Sequence, residues 1–116
     1  MNEIVDLQKR LKQFATERDW EQFHAPKNLA MALIVEAAEL VEHFQWLTEQ
    51  QSYELEDDKR QEVAFEMADI FIYNLRLAER LNIDLLEAVN KKMAINESKY
   101  PVDKVKGSSK KYTEYS

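Results

Sequence analysis

The sequence of 116 residues contains no cysteine, one glycine and two prolines. Without cysteine, disulfides and thiolate metal sites are excluded, which suits the reducing cytoplasm where we expect the protein to reside. A β-rich fold needs more turn residues, so the composition favours helices joined by few, short connections. Neither an apolar run of about 18 residues nor the apolar segment of a signal peptide is present, and we expect no membrane partner.

A basic surface is also lacking, since the formal net charge is −6. Nucleic-acid binding as a main function requires a basic face, so we expect no nucleic-acid partner. The charge is uneven, because the stretch 100–116 contains four lysines against Asp103 and Glu114 and carries +2, which leaves −8 for the rest. An acidic body that handles a polyanion would need metal ions as intermediaries.

Apolar residues at three- and four-residue spacing predict four helices, and hence an all-α antiparallel four-helix bundle. We expect one helical catalytic domain over residues 1–100 and a polar, lysine-rich tail over residues 101–116. Long helices in a short chain leave apolar surface uncovered, so we also expect a homo-oligomer, either a dimer or a tetramer built from dimers. The first expected helix has Asn2 as N-cap and an apolar stripe from Ile4 to Phe14, and the second runs from about Asn28 to Thr48, with Pro26 suited to its first turn. A polar linker over Glu49–Lys59 follows. The third helix ends near Arg80 or Leu81, and the fourth is capped by Asp84, with Glu87 completing a capping box.

Four carboxylates lie on the predicted helix seams, where apolar residues would be expected. Glu36 and Glu39 lie three residues apart in the second helix, and Glu66 and Asp69 in the third, so each pair shares one helical face. Because packed helices lie about 8–10 Å apart, the two pairs can converge. Like charges 4 Å apart repel by about 4 kcal/mol at an effective dielectric of about 20, and no lysine or arginine follows Lys27 in the second helix. A divalent cation that prefers oxygen would relieve this repulsion, which predicts a site for Mg²⁺, with Mn²⁺ as the alternative ion.

Two other interpretations of the acidic pairs are surface charge and a carboxylate-bridged di-iron site. Glu-x-x-Glu is common on helix surfaces, so one pair alone predicts little. A di-iron bundle requires Glu-x-x-His on two helices. The histidines are His24 and His43, of which His43 follows Glu39 by four residues, and the third helix contains none. This pattern disfavours di-iron.

The order of Glu-x-x-Glu, 26 intervening residues and Glu-x-x-Asp resembles the MazG-like nucleoside triphosphate pyrophosphohydrolases. The resemblance implies a hydrolase that converts a deoxynucleoside triphosphate into its monophosphate and pyrophosphate, prefers dCTP or a modified dCTP, and clears the nucleotide pool. Broad specificity or action on damaged bases stays open, as does a non-enzymatic helical interaction module. Further segments similar to the dCTP pyrophosphatase branch of that family are Trp20, Phe23–Leu29, Phe44–Trp46, Asp69–Tyr73, Lys92 with Met93 and Asn96, Lys99–Pro101 and Gly107–Glu114.

The resemblance also implies roles for the carboxylates and the aromatic residues. Glu36 and Glu39 are both candidates for the group that takes the proton from the attacking water. Trp20, Trp46 and Tyr73 would form the pocket for the base and sugar, where stacking contributes about 1–3 kcal/mol per base.

Five polar residues complete the implied substrate site. Lys92, Asn96 and Tyr100 share one face of the fourth helix and would contact phosphate and sugar. His24 is either a pocket residue or a polar entry to the second helix. Asn28 is either a base contact or a polar group of that helix's first turn.

Overall fold

The computed structural model describes residues 2–109, of which 77% are helical. No strand occurs between residues 2 and 109, so the predicted all-α fold is confirmed. Residues 110–116 of the predicted tail lie outside the described residues. The helices are α1 (Glu3–Glu17), α2 (Pro26–Glu42), α3 (Glu49–Tyr53), α4 (Asp57–Arg80), α5 (Leu85–Lys99) and α6 (Val102–Val105), with a 3₁₀ turn at Glu21–Phe23 between α1 and α2.

Helix starts agree with the capping signals in the sequence. The Asn2 side chain accepts a hydrogen bond from the Ile4 N–H at 2.8 Å and caps α1. Pro26 is the first residue of α2, where its fixed φ suits a helix and its missing N–H has no helical partner to lose. The Asp84 carboxylate accepts from the Glu87 N–H at 3.0 Å and caps α5. The predicted capping box is only half formed, because the Glu87 carboxylate pairs with Lys91 at 2.7 Å.

The second helix is shorter than predicted, and the predicted linker after it contains a helix. The helix α2 ends at Glu42 rather than Thr48, because the His43 and Phe44 N–H groups bond to carbonyls three residues back, at 3.2 and 2.9 Å. Thr48 then starts α3 through a capping box, in which its hydroxyl accepts from the Gln51 N–H and the Gln51 side chain accepts from the Thr48 N–H. The Thr-x-x-Gln pattern was the signal that the prediction missed.

Both α1 and α4 end in a Schellman motif without glycine. Asp19 (φ 55°) and Asn82 (φ 54°) take the left-handed position, which Asp and Asn tolerate better than most residues. The next N–H in each case, from Trp20 or Ile83, bonds back to a carbonyl of the last helical turn at 2.8 Å. Asp19 and Asn82 thus take the backbone position that glycine usually occupies at a helix end, and the first motif places Trp20.

The chain divides into a unit over residues 1–83 and a second unit from Asp84 onward. In the first unit, α4 packs against both α2 and α1. Gln8 of α1 also donates to the Leu75 carbonyl of α4 at 3.0 Å. Between residues 2 and 109, no helix has both the length and the apolar character needed to cross a bilayer. The buried apolar side chains are Ala15, Leu29, Val63, Leu75 and Ala78.

Candidate functional site

A cluster of carboxylates forms where α2 and α4 pack together. Glu36 and Glu39 of α2 and Glu66 of α4 each place one carboxylate oxygen within 4.8 Å of the others. All three side chains are half-buried. Asp69, the fourth predicted ligand, is exposed one turn after Glu66 and lines the pocket described below.

The electrostatics of this cluster suit a cation. Burial, hydrogen bonding with Glu66 and Glu39, and the charges of Glu39 and Asp69 together raise the pKa of Glu36 to about 7. Within the described chain, Glu66 Oε2 is buried without a hydrogen-bond partner. Burying an unpaired carboxylate oxygen is unfavourable, and a hard divalent cation is the partner that such an oxygen set prefers. The residues therefore fit the metal that the sequence predicts.

His43 adjoins the cluster and was not among the predicted site residues. Its Nε2 lies 3.9 Å from Glu66 Oε1, and its Nδ1 lies 3.3 Å from Lys59 Nζ and 3.8 Å from Glu62 Oε2. The ring therefore stands between the carboxylate of Glu66 and a charged pair on the outside of α4. Its position four residues after Glu39, on the same face of α2, was the sequence signal for it.

A pocket of about 270 Å³ is lined by Asp69, whose charge also acts on Glu36 of the acidic cluster. Its polar lining comes from His24, Tyr73 and Arg76 together with Asp69, so charged and apolar groups meet in one concavity. Such a combination is typical of small-molecule sites. The apolar lining residues are Leu11, Phe14, Ala15, Trp20 and Ile72.

The Schellman motif at the end of α1 brings Trp20 to the pocket. The Trp20 N–H bonds to the Ala15 carbonyl, which turns the chain back over the last turn of α1. The Trp20 ring then meets Phe14 edge to face, with ring centroids 5.7 Å apart and an angle of 70°. The guanidinium of Arg18 covers Phe14 at 3.7 Å from its ring centroid. These contacts fix the Trp20 ring as an aromatic wall beside the pocket.

Tyr73 connects the pocket with the carboxylates. Burial raises the pKa of Tyr73, and the charges of Glu36, Asp69 and Glu39 raise it further. The phenol therefore stays protonated near neutral pH and can donate a hydrogen bond to a ligand.

Two arginines of α4 fasten the 3₁₀ turn beside the pocket. Arg76 donates to one oxygen of Glu21 at 2.8 Å, and Arg80 donates to the other oxygen at 2.9 Å. Burial alone would raise the pKa of Glu21, but the hydrogen bond from Arg76 and the two positive charges outweigh it and lower the pKa. Arg80 also donates to the His24 carbonyl at 3.1 Å. The segment that carries Trp20 and His24 is thus held to α4 by ion pairs.

The other predicted substrate residues lie elsewhere in the described chain. Trp46 is 87% exposed in the turn after α2 and does not line the pocket. Asn28 donates its amide to the Phe23 carbonyl at 3.2 Å, which ties the first turn of α2 to the 3₁₀ turn. In the second unit, Lys92 and Asn96 lie one turn apart on α5, and Tyr100 caps the C-terminal end of that helix rather than continuing it. Lys92 is exposed, and Asn96 and Tyr100 are half-buried.

A family profile and the sequences of two curated relatives match this chain. The MazG-like family profile matches residues 31–115. Human dCTP pyrophosphatase 1 is 44% identical over 113 residues, and the mouse protein of the same name is 43% identical. These alignments cover 96% of this chain and 66% of each relative, so the chain spans about two thirds of their length.

A solved structure is similar throughout the fold. The crystal structure of a pyrophosphatase from Archaeoglobus fulgidus superposes with a TM-score of 0.82 at 39% sequence identity. The similarity covers 87% of this chain and 94% of that one.

Proposed function

Because this chain belongs to the MazG-like family, we propose that it hydrolyses a deoxynucleoside triphosphate to the monophosphate and pyrophosphate. The preferred substrate is dCTP or a modified dCTP, and the role is removal of such nucleotides from the pool. The name of the mammalian relatives supports this reaction and this base, and the archaeal structure is that of a pyrophosphatase. The observation that carries the proposal is the acidic cluster of Glu36, Glu39 and Glu66, because the charge of Asp69, which lines the aromatic pocket, acts on Glu36.

We assign the metal to Glu36, Glu39, Glu66 and Asp69, with Mg²⁺ as the physiological ion and Mn²⁺ as a substitute. Oxygen-only ligands and a chain without cysteine favour these hard ions. When bound, the ion supplies neutralisation of phosphate charge and acidification of a water molecule. Glu36 and Glu39 are the two candidates for the group that accepts the proton of the attacking water.

The pocket takes the base in this proposal. Trp20 provides an aromatic face, and Tyr73 and His24 provide polar contacts beside it. Asp69 lines the pocket and its charge acts on Glu36, so a nucleotide with its base in the pocket would have its phosphates toward the carboxylates. The contacts assigned to Trp46, Asn28, Lys92, Asn96 and Tyr100 rest on the family resemblance.

A panel of nucleotides tests the proposed reaction. We expect pyrophosphate release from dCTP or a base-modified dCTP in the presence of Mg²⁺, with lower kcat/KM for the other deoxynucleotides and no release in excess EDTA. Equal rates across the panel would instead identify a broad-specificity enzyme. No release from any nucleotide, with either Mg²⁺ or Mn²⁺, would favour an interaction module and refute the enzyme.

We also propose that the chain forms a homo-oligomer, a dimer or a tetramer built from dimers. Large apolar side chains of the two longest helices face solvent, and both Ile34 of α2 and Phe65 of α4 are 63% exposed. An apolar surface of this kind is expected to be covered by another subunit. Light scattering at micromolar concentration should give the mass of a dimer or a tetramer of the 13.8 kDa chain.

A pair of charge variants sharpens this prediction. Ile34→Lys should shift the assembly to a smaller mass, because it places a charge on the apolar surface. Lys27→Gln changes an exposed polar side chain on the same helix and should leave the mass unchanged. A monomeric wild type would contradict the proposal.

A further inference from the structure

Arg76 is a buried arginine whose three contacts point in different directions. It is 2% exposed, although it lies one turn before the end of α4 and lines the pocket. Two of its nitrogens donate to the carboxylates of Glu21 and Glu79, which neutralise its charge. The third, Nε, donates to Nδ1 of His24 at 3.4 Å. The ion pairs explain how the charge is tolerated, and the contact with His24 is additional to them.

This contact determines where His24 carries its proton. A guanidinium is always protonated and has no acceptor atom, so the imidazole nitrogen beside it must accept. Nδ1 is therefore unprotonated, and the neutral ring carries its hydrogen on Nε2. Burial lowers the pKa of His24, and the charges of Arg76 and Arg80 lower it further against the opposing effect of Glu21, which keeps the ring neutral near pH 7.

We propose that Arg76 is a positioning residue that holds His24 as the Nε2–H tautomer, so that the pocket offers a fixed hydrogen-bond donor to an acceptor atom of the nucleobase. The inference rests on the proposed function, since it assumes that the pocket takes the base. Nδ1 is engaged by Arg76, which leaves Nε2 as the ring nitrogen for a ligand. A cytosine ring offers its N3 and O2 as acceptors. The opposite tautomer would turn an acceptor toward these atoms and leave both partners unpaired.

Nitrogen NMR of the metal-free protein at about pH 8 tests the tautomer without any assay of activity. In the wild type we expect separate signals from an unprotonated Nδ1 and a protonated Nε2 of His24. Addition of dCMP should shift the Nε2 signal, because that N–H gains a new partner. Arg76→Met should let both tautomers exchange and bring the two signals closer together.

Arg80 provides a matched control for the loss of an arginine at this place. Arg80 also pairs with Glu21 and donates to the backbone carbonyl of His24, but it does not contact the imidazole nitrogen that Arg76 contacts. Arg80→Met should therefore leave the His24 signals unchanged. A purely structural role of Arg76 would give the same His24 spectrum in Arg76→Met and in the wild type.

Steady-state kinetics tests the consequence for binding. Arg76→Met should raise KM for dCTP about tenfold with kcat within about threefold, since one hydrogen bond to the base is weakened. His24→Gln keeps an N–H donor and should stay within about threefold of the wild-type KM, whereas His24→Leu should raise it about tenfold. If Arg76→Met does not fold, Arg76→Lys keeps the charge beside Glu21 and Glu79 and should show the same exchange of tautomers.

The outcomes for the inference and for the proposed function are separable. A wild-type His24 with its proton on Nδ1, or a spectrum unaffected by Arg76→Met and Arg76→Lys, overturns the inference even if dCTP is hydrolysed. An Nε2 signal that does not respond to dCMP in an enzyme that hydrolyses dCTP also overturns it. If dCMP shifts the Nε2 signal but no nucleotide is hydrolysed, the inference stands and the proposed function fails.

Discussion

Glu36→Gln and Asp69→Asn should each remove nearly all hydrolysis of dCTP while leaving the helical fold intact. Each substitution keeps the size of the side chain but replaces a negatively charged oxygen of the proposed metal site by an amide. Removing one ligand of a divalent cation weakens both its binding and the stabilisation of charge on the phosphates. Pyrophosphate release measures the loss, and circular dichroism verifies that the helices are retained.

Two substitutions of the same kind outside the cluster are the controls. Glu42→Gln changes an exposed carboxylate of α2, and Asp58→Asn changes an exposed one of α4. Both should keep activity within about twofold of the wild type. If Glu36→Gln or Asp69→Asn retained activity within a few-fold of the wild type, the metal assignment would be wrong.

The Glu36→Gln variant should also be more stable than the wild type without metal, in a manner that depends on pH. The pKa of Glu36 is raised from 4.5 to about 7 in the folded protein, so the folded state binds this proton more tightly than the unfolded state. The wild type therefore loses stability as the pH rises through this range. Glutamine does not ionise, so the variant should melt higher than the wild type at about pH 8 in EDTA. The difference should vanish at about pH 4, and an equal difference at both pH values would contradict the raised pKa.

The acidic cluster could be anticipated because its determinants are local. Three-residue spacing fixes two carboxylates on one helical face, and helices that pack at their usual distance bring Glu36, Glu39 and Glu66 together. Helix caps were predictable for the same reason at Asn2 and Asp84.

The environment of Arg76 could not be predicted from helical periodicity. Its partner Glu21 lies 55 residues away in the chain, so its burial depends on how a 3₁₀ turn meets α4. Glu79, three positions after Arg76 on the same helix, is a partner that the spacing indicates, but nothing local indicates the second carboxylate, that of Glu21. The same applies to Trp20, whose place beside the pocket follows from a Schellman motif with Asp19 instead of glycine.

Trp46→Ala should raise KM for dCTP about tenfold to a hundredfold, because stacking on an aromatic ring contributes about 1–3 kcal/mol per base. The four carboxylates remain, so metal-dependent chemistry should persist. Truncating a tryptophan of the core would lower the free energy of unfolding by about 3–5 kcal/mol. Trp46 is instead 87% exposed, so we expect an almost unchanged melting temperature.

Tyr53→Ala is the matched control, since this aromatic of α3 is 86% exposed and should change neither KM nor stability. A KM for Trp46→Ala equal to that of Tyr53→Ala would remove Trp46 from the site, while Trp20 would keep its place there because it lines the pocket directly.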